Sequence, residues 1–383
     1  MAEDTSSRVS RRRFLLGSGT ATALALAGCT SQQAAQPDST TAADLEVDDG
    51  TPTQAGATTA GTPTPTATPA DSGPLTADGS STVFPIANQG SRLWNGNPPA
   101  TDEEYWGPSQ FDIQTDEHLA DYFASMYGFE PTGERSTPVF RVTVALSHSG
   151  TGVKSVSEGR TDIGNSSAPV ADELPEASEE TLQKFENHVV GVDGQPIVVS
   201  RDIYDAGVTQ ITKEQLKQIY TGEITSWAAV GGPDKTIRAI GRAEGSGTDT
   251  AFRANLYGDP DAQISPDVRK GKNQQVKSLV ANSDNAIAYL ALAFVDEAGA
   301  VPPIGLKVGE TVYEYGKNLG SKEYPLSRDL HMYTWDGTSM QEAAFINMLL
   351  SEFGQERCVA ANNYFTLPPE RREAQREKLP DQV

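Results

Sequence analysis

The sequence has 383 residues, of which 37% are hydrophobic, and it contains 35 glycines and 24 prolines. This length exceeds one average domain, and the low hydrophobic share predicts that part of the chain lies outside any packed core. Asp and Glu number 52 against 30 Lys and Arg, a net charge of −22, which argues against nucleic acids and anionic membranes as general partners. The four histidines are scattered and the two cysteines, Cys29 and Cys358, lie far apart, so no metal site and no cofactor are expected.

Residues 1–29 are typical of an export signal. Ser10–Leu15 reads S-R-R-R-F-L, and the apolar run Phe14–Ala27 is too short to span a bilayer of about 30 Å. The pattern resembles a twin-arginine signal, and its end, Leu-Ala-Gly-Cys, resembles a lipobox. We therefore expect Cys29 to be lipidated, to become the mature N-terminus, and to anchor the protein to the outer face of the cell membrane.

Residues 30–74 consist mainly of Thr, Ala, Pro, Gly, Ser and Asp, with no Lys or Arg. Such a segment buries too little apolar surface to offset the entropy cost of ordering, so it is predicted to be a disordered stalk.

The excess of acidic residues over lysines in the whole sequence resembles the adaptation of halophilic archaea to concentrated salt. An ordinary acidic protein is the alternative interpretation.

The predicted elements of the folded part alternate between strand and helix. In chain order they are a strand from 75, helices over 86–94 and 117–127, a strand over 141–146, a helix from about 153, strands over 161–164 and 197–200, a helix over 212–220, a strand over 237–240, a helix from about 250, strands over 285–290 and 330–333, and helices over 339–353 and in the tail after 368. The alternation predicts an α/β domain with mainly parallel sheets. Segment 95–138, rich in Pro, Gly and aromatic residues, has no assigned role.

Three turns rich in Gly, Ser and Thr stand between a predicted strand and the helix that follows it. They are GSST at 79–82, HSGTG at 148–152 and EGSGT at 244–248. Ligands of α/β sheets bind at the carboxyl ends of strands, where helices begin. Backbone N–H groups and hydroxyls there can hold an anion, although any one turn alone is more simply a helix cap.

The chemistry of these turns leaves three interpretations. The motif GxxxxGK[ST] is absent, which disfavours a nucleotide phosphate loop. A serine hydrolase could use Ser81, Ser149 or Ser246 with His148 as base, but no GxSxG elbow is present. An anion receptor is favoured, because Arg242 could grip a tetrahedral oxyanion and Glu244, two residues on, could brace the guanidinium.

Five motifs in one order resemble the substrate-binding lipoproteins of ABC-type phosphate importers. They are DGSSTVFP at 78–85, SHSGTGVKSVSEGRTDIGNSSAP at 147–169, LKQIYTGEITSWAAVGG at 216–232, RAEGSGT at 242–248 and NAIAYL at 285–290. The resemblance implies a phosphate receptor without enzymatic activity, a monomer that docks on the permease subunits of the importer. A receptor for another oxyanion and a serine-dependent phosphatase remain the alternatives.

The resemblance also implies a two-lobed class II periplasmic-binding-protein fold, with the ligand in the cleft. Residues 75–197 with 289–383 would form the first lobe and residues 198–288 the second. The implied phosphate-binding residues are Ser80, Ser81, Thr82, Ser149, Gly150, Ser167, Arg242, Ser246, Gly247 and Thr248. Some members carry an aspartate at the position of Ser167, where it accepts the proton of phosphate. A serine there leaves the selectivity against sulfate open.

Overall fold

The computed structural model describes residues 73–383; the predicted signal, Cys29 and the stalk lie outside the described residues. The strands are β1 Leu75–Gly79, β2 Val142–Val144, β3 Ile163–Ser166, β4 Phe185–Gly194, β5 Ile197–Val199, β6 Gln210–Thr212, β7 Arg238–Arg242, β8 Val268–Lys270, β9 Ala286–Tyr289, β10 Pro303–Val308, β11 Thr311–Tyr313 and β12 Ser327–Trp335.

The α-helices are α1 Phe84–Gly96, α2 Leu119–Ser125, α3 Ser149–Ser157, α4 Val170–Glu173, α5 Glu179–Leu182, α6 Arg201–Asp205, α7 Lys213–Thr221, α8 Gly247–Tyr257, α9 Asn273–Ala281, α10 Met340–Leu350, α11 Glu352–Gly354 and α12 Pro369–Arg376. Short 3₁₀ turns at Pro108–Phe111, Trp227–Val230, Leu292–Phe294 and Ala360–Asn362 and a π-helical turn at Gln355–Val359 join them. None of these helices is long and apolar enough to cross a membrane.

Two sheets divide the described chain into two lobes. The first sheet has the strand order β2-β1-β3-β12-β4, and the second has the order β11-β10-β5-β9-β7-β8, with β6 paired to β10. The chain crosses to the second sheet between Gly194 and Ile197 and returns between Tyr313 and Ser327. Each sheet therefore draws its strands from a different part of the sequence, except for β12.

The prediction that residues 289–383 return to the first lobe is wrong for their first part. The stretch near 285–290, where the predicted boundary between the lobes falls, is β9, which lies between β5 and β7 within the second sheet. Strands β10 and β11, ending at Tyr313, extend the same sheet. The strand predicted over 285–290 is present, and the error concerns only the lobe to which the residues from 289 to Tyr313 belong, because that depends on the long-range sheet order.

The expectation of mainly parallel sheets is also corrected. β1 pairs in parallel with β2 and β3, and β7 with β8 and β9. β12 instead runs antiparallel to β3 and β4, and β5 runs antiparallel to β9 and β10. The parallel portions are the ones that carry the Gly/Ser/Thr turns, so their carboxyl ends share one edge of each sheet.

Local sequence explains the helices that flank these portions. Helix α7 begins with a capping box, in which the Thr212 hydroxyl accepts from the Gln215 amide and the Gln215 side chain accepts from the Thr212 amide. Helix α3 lies so close to β1 that a Cβ on Gly152 would stand 2.7 Å from the Cα of Gly79. Glycine at 152 is thus needed to bring the start of α3 beside the end of β1.

Segment 95–138 packs on the first lobe through aromatic side chains. Trp106, which is fully buried, meets Phe353 edge-on with ring centroids 5.0 Å apart and lies near Phe123. The buried Asp121 accepts hydrogen bonds from Asn97 and from the Gly133 amide, which fixes the loops at both ends of α2. The segment therefore adds buried aromatic side chains to the hydrophobic core of the first lobe.

Candidate anion site

The three turns predicted from the sequence meet at one place between the lobes. The Thr82 and Thr248 hydroxyls lie 2.9 Å apart, and Arg242 donates to the Ser81 hydroxyl at 3.1 Å. The Gly150 amide donates to the Gly245 carbonyl across the same contact at 3.2 Å. The three turns stand at or just before the starts of α1, α3 and α8, so the positive ends of three helix dipoles lie close to this place.

Arg242 is the buried charge at the centre of the site. It ends β7 and is 1% exposed. Its Nε donates to the Lys270 carbonyl at 3.2 Å and its Nη2 to the Gly271 carbonyl at 2.6 Å. Its Nη1 donates to Asn273 Oδ1 at 2.9 Å. Burial lowers the pKa of the Arg242 guanidinium to about 10, so the group stays charged at neutral pH.

The structure does not place Glu244 where the brace was predicted. Glu244 is exposed, and the partners of Arg242 are the oxygens of carbonyl, amide and hydroxyl groups. The reason is the turn itself: β7 ends at Arg242, and Gly245 adopts a φ of +71° that directs the intervening residues to solvent. The guanidinium is therefore oriented without a neutralising carboxylate, which leaves its charge available to an anion.

Asn273 performs the orienting role, and no motif in the sequence marks this residue. It is the first residue of α9 and is fully buried. Its Nδ2 donates to the Ser81 and Thr82 hydroxyls, each at 3.1 Å, while its Oδ1 accepts from Arg242. The strand before it, β8, is short and polar, so this fourth strand-to-helix turn was not predicted.

The remaining predicted residues form a cluster of buried hydroxyls. Ser80 donates to Ser167 Oγ at 3.0 Å, and the Ser149 and Ser167 hydroxyls lie 3.4 Å apart. Ser246, the residue before α8, has a buried hydroxyl without a hydrogen-bond partner. Gly247 packs against Ser149 and Ser167, since a Cβ on Gly247 would stand 2.8 Å from Ser167 Oγ. All ten predicted binding residues thus lie in or beside the place where the three turns meet between the lobes.

A serine hydrolase needs a histidine base hydrogen-bonded to its serine nucleophile, and the described residues do not form such a pair. Ser81 contacts Arg242 and Asn273, and Ser149 contacts Ser167. Nδ1 of His148 is buried without a partner, and burial lowers the pKa of this histidine. Among residues 73–383 no histidine forms a hydrogen bond with a serine hydroxyl, and no group of three metal-ligating side chains occurs.

Glu173 is a half-buried residue whose carboxyl group is buried beside the site. It belongs to α4, and both of its carboxylate oxygens are buried without a partner in hydrogen-bonding geometry. Its Oε2 lies 3.1 Å from where a Cβ on Gly150 would stand. Burial raises the pKa of Glu173 to about 7; the charge of Asp172 acts in the same direction, while Thr250, Arg328 and the Gly150 amide oppose it. The carboxyl group is largely neutral below pH 7.

This raised pKa predicts a pH-dependent stability. The contribution of the neutral acid is fully present below its ordinary pKa of 4.5 and is lost as the pH rises toward 7. In saturating phosphate, we expect Glu173→Gln to raise the melting temperature by about 2–4 °C at about pH 8, with little change at about pH 5. Calorimetric unfolding scans measure this. Glu176→Gln, at an exposed position, is the control, and an equal shift of Glu173→Gln at both pH values would contradict the expectation.

The fold and the site together define a class: a two-lobed α/β binding protein whose polar site lies where the lobes meet. The sequence profile described as the PBP superfamily domain matches residues 105–353. A phosphate-binding protein PstS of Bacillus subtilis is 32% identical over 225 residues, which cover 58% of this chain and 70% of that protein. The one from Staphylococcus saprophyticus is 29% identical over 254 residues, covering 63% and 76%. The chain therefore belongs to the PBP superfamily and, within it, to the PstS proteins.

Solved structures agree on the fold. A putative phosphate ABC transporter substrate-binding protein from Clostridium perfringens, with bound phosphate, aligns with a TM-score of 0.57 at 22% identity, over 77% of this chain and 99% of that one. An ABC-type phosphate transport receptor from Vibrio cholerae aligns with a TM-score of 0.51 at 23% identity, over 77% and 100%. The mixed α/β, two-domain architecture is thus that of phosphate-binding PBP structures.

Proposed function

We propose that the protein is a receptor that captures inorganic phosphate and delivers it to the permease subunits of an ABC importer. The observation that carries the proposal is the charged guanidinium of Arg242, which is buried among hydroxyls and helix N-termini and faces no carboxylate. A tetrahedral oxyanion matches such a set of donors. The names of the Bacillus and Staphylococcus relatives support phosphate as that oxyanion.

In this proposal the phosphate oxygens replace the contacts that the turns now make with one another. The phosphate oxygens would accept hydrogen bonds from five hydroxyl groups, those of Ser81, Thr82, Ser149, Ser246 and Thr248. The N–H groups of Gly150 and Gly247 at the helix starts would donate as well, with Ser80 and Ser167 behind them. Arg242 would supply the charge. No bond is made or broken, so the protein acts as a carrier and not as an enzyme.

The layout of the whole chain supports a tethered receptor. The lipobox-like end of the signal at Cys29 and the acidic, proline-rich stalk that follows it would hold the two lobes outside the membrane, within reach of a permease. The protein would leave the cell through the twin-arginine route and act as a monomer. Its net charge of −22 fits a halophilic archaeon, where concentrated salt screens the repulsion.

Calorimetric titration of the protein in concentrated KCl tests the proposal. Phosphate is expected to bind and to raise the melting temperature, with arsenate and sulfate as the competing oxyanions. Phosphate that gives neither a binding heat nor a thermal shift would overturn the proposal. Binding of sulfate in preference to phosphate would replace it with a receptor for another oxyanion. Turnover of a chromogenic phosphate ester that Ser246→Ala abolishes would favour the hydrolase instead.

A further inference from the structure

A second arginine, Arg328, reaches the site from the first lobe. It lies at the start of β12, just after the chain returns from the second sheet, and is 7% exposed. Its Nε and Nη2 donate to Asp193 Oδ2 at 3.0 and 2.6 Å. Asp193 is itself fully buried near the end of β4, and its Oδ1 accepts from the Leu292 amide at 2.9 Å. One edge of the guanidinium is therefore neutralised by a carboxylate.

The rest of the guanidinium faces the turns of the anion site. Nη2 donates to the Thr82 and Thr248 hydroxyls at 3.3 and 3.2 Å. Nη1 donates to the Gly247 carbonyl at 2.9 Å and lies 3.5 Å from Ser167 Oγ. Arg328 thus contacts the turn after β1, the turn after β3 and the first residues of α8.

We infer that Arg328 is a second anion-binding arginine, and that Asp193 limits how much of its charge the anion experiences. The inference rests on the proposed function. An oxygen that accepts from both threonine hydroxyls must lie beside each of them, and Nη2 of Arg328 already lies within 3.3 Å of both. Such an oxygen is therefore within reach of the guanidinium.

The chemistry of the surroundings favours this role. Ser167 presents a hydroxyl on the side that Arg328 Nη1 faces, so no carboxylate there competes with the anion. Arg242 and Arg328 approach from different lobes, and the anion would then lie between two guanidinium groups. A tetrahedral oxyanion with two negative charges fits that arrangement better than one with a single charge.

A purely structural role is the alternative, because Arg328 also links the lobes. Gly247 and Thr248 belong to the second lobe, whereas Asp193 belongs to the first. If the Arg328–Asp193 pair only held the crossovers together, removal of either partner would weaken phosphate binding. If Arg328 binds the anion, removal of the Asp193 charge frees the guanidinium for phosphate. The two roles therefore predict opposite effects of Asp193→Asn.

The experiment is a calorimetric titration of inorganic phosphate into the whole protein and its variants. We expect Arg328→Gln to weaken binding about 30-fold or more and Arg328→Lys, which keeps the charge, to weaken it less. Asp193→Asn is expected to bind phosphate at least as tightly as the unmodified protein while melting at a lower temperature without phosphate, because the buried arginine is then unpaired. Arg371→Gln removes a salt bridge to Asp329 on the same strand, at a half-exposed position, and is the matched control.

Two outcomes would overturn the inference. One is phosphate affinity of Arg328→Gln equal to that of Arg371→Gln. The other is Asp193→Asn weakening phosphate binding as much as Arg328→Gln does. Both require the unmodified protein to bind phosphate, so failure of the proposed function is recognised separately, as an unmodified protein that gives no binding heat. Should Arg328→Gln fail to fold, the opposite signs expected for Arg328→Lys and Asp193→Asn decide between the two roles.

Discussion

Replacement of Arg242 by alanine is expected to weaken phosphate binding by about 2–5 kcal/mol, which is roughly 30-fold to several thousand-fold in Kd. The side chain is 1% exposed and meets only neutral oxygens, so its loss removes a buried positive charge that no contacting carboxylate neutralises. Arg242→Lys should bind with intermediate affinity, because an ammonium group keeps the charge but loses the planar fork.

Titration calorimetry measures the effect of Arg242→Ala, and the melting temperature without phosphate shows whether the fold survives. Arg238→Ala is the matched control, since Arg238 lies on the same strand at the end remote from the turns. Phosphate affinity of Arg242→Ala within about threefold of the unmodified protein, well below the loss expected for a buried charged group, would remove Arg242 from the site.

Gly247→Ala should impair phosphate binding by steric contact between the lobes. A Cβ at this position would stand 2.8 Å from Ser167 Oγ and 2.9 Å from Ser149 Cβ, both on the first lobe. Gly247 is the first residue of α8 and is not among the residues with a positive φ, so alanine fits the second lobe alone. The clash arises only when the two lobes are in contact. We expect it to weaken the free energy of phosphate binding by about 1–3 kcal/mol, or roughly 5- to 150-fold in Kd.

The melting temperature of Gly247→Ala without phosphate distinguishes this effect from damage to the fold. It should stay the same or rise slightly, because alanine favours helix over glycine. Gly96→Ala, also in a helix but with only an ordinary contact at 3.9 Å, should leave phosphate binding unchanged and the melting temperature the same or slightly higher. Unaltered phosphate affinity of Gly247→Ala would mean that the lobes do not approach in this way when phosphate binds.

The three turns that meet between the lobes could be predicted from the sequence because their composition is a local feature. Gly, Ser and Thr cluster after short strands, and a helix start follows each cluster. The general rule for the carboxyl ends of strands then brings the clusters together without any knowledge of the sheet order. The capping box that starts α7 is equally local, since it depends only on Thr212 and on Gln215 three residues later.

Arg328 and Asn273 could not be predicted in this way. Arg328 begins a strand whose apolar part starts at Leu330, so its sequence pattern is that of an exposed strand end. Asn273 follows a run of lysine and glycine and resembles a surface turn. Both reach the site only because the long-range sheet order brings β12 and β8 beside β3 and β7. The brace at Glu244 failed for the opposite reason, since proximity in sequence does not fix the direction of a side chain across a glycine turn.

The direct contacts between the lobes have a consequence for the residence time of the ligand. The Gly150 amide donates a hydrogen bond to the Gly245 carbonyl. The side chain of Gln195, which lies on the connection between the two sheets, donates another to the Thr248 carbonyl at 2.8 Å. On the proposed function, an anion held beside Thr248 leaves only after these bonds break, so the dissociation rate equals the rate at which the lobes separate. Phosphate and arsenate would then leave at similar rates even where their affinities differ. A permease that separates the lobes would accelerate delivery without competing for the anion itself.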